Sequence, residues 1–99
     1  MTDQEFDAYL QKRLEEILKL RGEKAKEYSN GDAFSHLKTA SEIIGVSPEE
    51  VALMYALKHF VSIRDIVKTG RNKDKIKEKV SDLVVYLFLI EAYYEANSL

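Results

Sequence analysis

The chain has no cysteine, no tryptophan and a single proline in 99 residues. Without cysteine there are no disulfides, no thiolate metal sites and no cysteine nucleophile. One proline and four glycines, set against abundant Leu, Ile, Ala, Glu and Lys, favour helices joined by short turns over a sheet protein. No apolar stretch approaches the ~20 residues of a membrane span. Fifteen basic and seventeen acidic residues leave a net charge of −2, so there is no electrostatic case for binding duplex DNA or an anionic membrane. The opening Met-Thr-Asp-Gln-Glu is acidic and polar, unlike a secretory signal, and a soluble cytoplasmic protein is expected. A hydrophobic content of 45% in a chain this short suits one modest core, predicting a single all-α domain over residues 1–99.

Four helical segments can be placed. Thr2 and Glu5 have capping-box spacing, and Phe6, Leu10, Leu14, Ile17, Leu18, Arg21 and Ala25 follow at steps of three and four. A helix is therefore predicted to start near Asp3, and its stripe can continue to Tyr28 if Gly22 is tolerated, after which the turn cluster Ser29-Asn30-Gly31-Asp32 stops it. Asp32 can cap a short helix from Ala33 to about Ile44, with Phe34, Leu37, Ala40 or Ser41 and Ile44 inward and Gly45 closing it. Ser47-Pro48-Glu49-Glu50 is the clearest start signal: a capping serine, proline in the first turn, and a glutamate three residues after the cap. The third helix runs from there to about Lys68, with Val51, Met54, Leu57 and Val61 as its apolar stripe. Thr69-Gly70-Arg71-Asn72 breaks it, and a fourth helix takes Asp74 to about Ala96.

This pattern predicts an all-α, four-helix bundle-like fold. Leu83 to Ile90 carries no charge and calls for burial around most of its circumference, more than one protomer of this size supplies. A homodimer or higher homo-oligomer sharing a core through the third and fourth helices is expected.

Three groups of polar residues are candidates for chemistry. Glu78 and Asp82 are four apart on one helix face and can grip a cation together, or they can simply answer Lys75, Lys77 and Lys79 as surface ion pairs. Lys58, Ser62 and Asp65 follow one another along the third helix, with His59 one step around. They can present a cation, a hydroxyl and a carboxylate to one neighbour, or form a solvated edge. Lys26, Tyr28, Asp32, Phe34 and His36 gather around a helix end, where rings can stack on a base and lysines can receive phosphate, or where the aromatics can merely seal a junction.

Together, Lys24-x-Lys26-Glu27-Tyr28, Asp32-x-Phe34-x-His36, Lys58-His59-x-x-Ser62-x-x-Asp65 and Glu78-Lys-x-Ser-Asp82-x-x-x-Tyr86 resemble small phage and prophage proteins. Those proteins look like the nucleotide-modification-associated domains and the wider all-α nucleotide pyrophosphatases typified by MazG and dimeric dUTPases. The likeness spans about residues 20 to 92. It is strongest where Glu-Lys-Val-Ser-Asp-Leu-Val-Val-Tyr-Leu is similar to the Glu-Glu-Leu-Gly-Asp-Leu-Leu-x-Tyr-Leu element of MazG. The resemblance implies a magnesium-dependent nucleoside triphosphate pyrophosphohydrolase, with Glu78 and Asp82 as metal ligands and Asp65 joining them in catalysis. Lys58 would neutralise phosphate, Tyr28 and Phe34 would contact base or sugar, and His59, Ser62 and Tyr86 would complete the binding set. The middle helix departs from the family by carrying Lys58, His59, Ser62 and Asp65 in place of Glu-Glu-x-x-Glu, and Lys79 stands where the last motif has a glutamate. Fewer carboxylates hold fewer ions, so the alternative is a non-catalytic phage accessory protein that sequesters a nucleotide or binds a host protein.

Overall fold

The computed structural model describes residues 1–28 and 31–97, except the side chains of residues 27 and 28. It is all-helical, with no strand among the described residues. The helices are α1 (Asp3–Tyr28), α2 (Ser35–Ile44), α3 (Pro48–Thr69) and α4 (Ile76–Asn97), with a 3₁₀ turn at Lys73–Lys75 leading into α4. The chain forms two compact units, Met1–Asp32 and Ala33–Leu99.

The first unit is built on one 26-residue helix. Its start is the predicted capping box: the Glu5 amide donates to Thr2 Oγ1 at 3.1 Å, while the Thr2 amide and hydroxyl donate to Glu5 Oε1 at 3.3 and 3.0 Å. Phe6, Leu10 and Leu14 lie along the helix with 43–49% of their surface exposed.

The second unit holds the buried core. Leu37, Val51 and Ala52 form its centre, with Phe34, Ala40, Val46, Leu89 and Ile90 packed around them. α2 begins two residues later than predicted, and its N-cap position is Phe34, which makes no side-chain capping bond. Asp32 therefore lies outside the cap position it was expected to fill. At the other end Gly45 adopts φ 86° and its amide donates to Ser41 O, so a residue without a Cβ closes the helix in the left-handed region. The Ser41 hydroxyl donates to the Val46 carbonyl and fastens the turn. Ile44, expected inward, is 54% exposed because it is the last residue of the helix, where the chain already turns away.

α3 starts as predicted: the Ser47 hydroxyl accepts from the Glu50 amide at 3.2 Å and donates to Glu50 Oε1 at 3.0 Å, with Pro48 in the first turn. Its buried face differs from the predicted stripe. Val51, Ala52 and Ala56 are buried, whereas Met54, Leu57 and Val61 are 41–59% exposed. Two alanines one turn apart let α4 come close, and the larger side chains are turned outward. Gly70, at φ 70°, caps α3 by donating its amide to Ile66 O, and Asn72 follows in the same left-handed region at φ 59°. α4 then runs antiparallel to α3, since Tyr55 meets Tyr86 while the later His59 meets the earlier Asp82. Along α4, Leu87 and Phe88 are exposed, so the apolar run is covered on one side rather than all round.

Candidate functional site

The α3–α4 seam is where predicted site residues come together. Tyr55 and His59 are one turn apart on α3, and Asp82 and Tyr86 are one turn apart on α4. Antiparallel packing makes the two pairs meet. The Tyr86 ring stacks on Tyr55 with centroids 5.2 Å apart at 19°, and the His59 ring stacks against Tyr86 at 5.7 Å and 17°. His59 Nδ1 lies 3.8 Å from Asp82 Oδ2, within ion-pair reach but longer than a direct hydrogen bond, and these side chains are only 13 and 20% exposed. Burial pushes the Tyr86 phenol above its ordinary pKa, with neighbouring Tyr55 and Asp82 adding in that order.

One residue before Asp82 on α4, Ser81 is buried, its hydroxyl donating to the Lys77 carbonyl at 2.8 Å. The hydrogen bond gives a polar group a partner inside the seam while keeping the side chain small enough for close helix approach.

The other candidates are distributed differently. Lys58 and Asp65 are exposed, and Ser62 is half-buried with its hydroxyl donating to the Lys58 carbonyl at 3.2 Å. Asp65 Oδ1 lies 3.5 Å from Arg64 Nη2, and its carbonyl accepts from Thr69 Oγ1 at 2.7 Å. The α3 side chain that faces the acidic helix is thus His59, one step around from the Lys58-Ser62-Asp65 line. Glu78 is exposed, so the two carboxylates a turn apart have unlike surroundings: one in solvent, one against an imidazole. Among the described residues, no group of three His, Asp or Glu is placed to hold a metal ion.

Phe34 is half-buried and meets Tyr93 edge-on, with centroids 5.4 Å apart at 88°, so its ring is engaged in closing α2 onto α4. His36 is exposed on α2. Lys26 is exposed and Asp32 half-buried in the first unit, and the Tyr28 side chain lies outside the described residues. Tyr55 is the participant that sequence reasoning missed. Its signal was available: an aromatic one turn before His59 mirrors Asp82 one turn before Tyr86.

The cluster therefore offers a half-buried aromatic stack flanked by an acid and an imidazole, which holds two helices in register. Comparison with protein-family models, curated proteins and solved structures finds no match.

Proposed function

We propose that this chain is a binding protein that acts without turnover, an accessory factor of the phage type whose partner is another protein docked on the outward face of α3. One observation carries the reading. Leu53, Met54, Leu57, Phe60 and Val61 stand 41–59% exposed along a single helix of a chain that is 32% charged. A contiguous apolar row of this kind marks an interaction surface. On α4, Leu87 and Phe88 add exposed apolar area, which supports the homo-oligomer expected from the sequence as one form of that association. The test is a pull-down of the docked partner protein with Leu57→Lys and Phe60→Lys. Loss of association with an unchanged circular-dichroism spectrum is expected, and association that survives both changes sinks the proposal.

A second reading is a MazG-like, magnesium-dependent nucleotide pyrophosphohydrolase, favoured by the meeting of His59, Asp82 and Tyr86 inside the segment that carries the family likeness. Glu78 and Asp82 are the two carboxylates that would hold the cation. Incubation with a nucleoside triphosphate panel and Mg²⁺ or Mn²⁺ decides it. Pyrophosphate released by the native chain and not by Asp82→Asn would establish turnover and displace the binding reading. A nucleotide that raises the melting temperature without turnover would instead make the ligand a sequestered nucleotide.

A further inference from the structure

Among its described residues the first unit contains one helix and no second element to cover that helix's apolar stripe. A helix in water draws most of its stability from packing that stripe against something. The stripe itself says what fits. Six of its seven positions, Phe6, Leu10, Leu14, Ile17, Arg21 and Ala25, are separated by four, four, three, four and four residues, a spacing that reads the same from either end, while Leu18 stands outside that set at 71% exposed. Its midpoint falls between Glu15 and Glu16. Reversing the helix about that point places Phe6 over Ala25, Leu10 over Arg21 and Leu14 over Ile17. The first match is large against small, the second lays an arginine stem on a leucine, and the third is aliphatic against aliphatic.

Charge selects the same arrangement. Asp3, Glu5 and Asp7 make the first turns acidic, whereas Lys19, Arg21, Lys24 and Lys26 outnumber Glu23 and Glu27 toward the other end. A parallel pair would set three negative charges on three, and an antiparallel pair sets them on a net positive segment. The helix dipoles also favour antiparallel alignment. The steps of four, four and three from Phe6 to Ile17 amount to roughly 3.7 residues per turn, close to the straight-helix value, so two such helices can run side by side with little supercoiling.

We propose that α1 is a homodimerisation helix that pairs antiparallel with the α1 of a second copy about a two-fold axis between residues 15 and 16. The interface is isologous, as a palindromic stripe requires. It uses residues of α1 and none of the α3 residues assigned to a partner, so it does not depend on the binding reading.

The test uses the full chain, in which an introduced cysteine is unique because none is native. Light scattering at micromolar concentration is expected to give twice 11.4 kDa. Leu14→Lys combined with Ile17→Lys should raise the dissociation constant at least about tenfold, since it buries like charges at the centre of the pair. The thermal transition of the second unit should persist in that variant. For orientation, spin labels at Asp7→Cys should lie about 25 Å apart along the axis in the antiparallel dimer, and a mixture of Asp7→Cys with Lys24→Cys should give a much shorter distance. The reverse pattern of distances overturns the proposal. So does a monomeric native chain, whether α1 is then covered by its own second unit or by a foreign protein, and so does a dimer indifferent to the two lysines.

Discussion

At the scale of single residues, Tyr86 is the group whose environment makes a measurable demand. Its phenol is favoured in the neutral form, chiefly by burial and further by Tyr55 and Asp82. Because the folded pKa lies above the unfolded value of ~10, the stabilisation is fully present below that pH. It is lost as pH rises from there through the folded pKa. In a tyrosinate absorbance titration, one of the six tyrosines should ionise after the others, and Tyr86→Phe should remove that late component. Asp82→Asn should move it only part of the way back, since the carboxylate is the smallest of the three causes. A native titration with no late component contradicts the packing described for this ring.

At the scale of elements, helix ends and helix faces behave differently. Ser47→Ala removes the oxygen that receives the Glu50 amide and should cost ~1 kcal/mol in urea unfolding. Gly70→Ala should cost a similar amount, about 1 kcal/mol, because the residue sits at φ 70° with Lys73 Cε only 3.2 Å from where a Cβ would stand. Ala56→Leu should cost roughly 1–3 kcal/mol by forcing α3 and α4 apart. The ends were legible in the sequence because capping is local chemistry: Thr2 with Glu5, Ser47 with Glu50, and the helix-closing glycines Gly45 and Gly70 act within a few residues. The inward face of α3 was not. Its sequence supports two apolar lines, and hydrophobic periodicity favours the bulkier one, whereas close helix approach selects Ala52 and Ala56. The candidate site divides the same way. Asp82 with Tyr86 could be read from spacing, but their pairing with His59 and Tyr55 depends on the offset of one helix against another, which no single segment encodes.

At the scale of the whole molecule, little apolar area is deeply covered. Among the described residues only Leu37, Val51, Ala52 and Ala56 form the buried hydrophobic core. Leu37→Ala should therefore be severe, about 2–5 kcal/mol, and threaten folding outright. Leu57→Lys on the outward face of α3 should change stability by no more than ~0.5 kcal/mol while weakening association. Equal losses from the two substitutions, measured by thermal unfolding, would mean that the outward face is part of the folding core. The link between α3 and α4, a glycine cap followed by one turn of 3₁₀ helix, also has a kinetic consequence. Because it is short, little flexible chain has to be ordered to bring the ring stack together once the two helices have formed. In a stopped-flow dilution from denaturant, this hairpin should collapse and refold within milliseconds, ahead of any step whose rate depends on protein concentration.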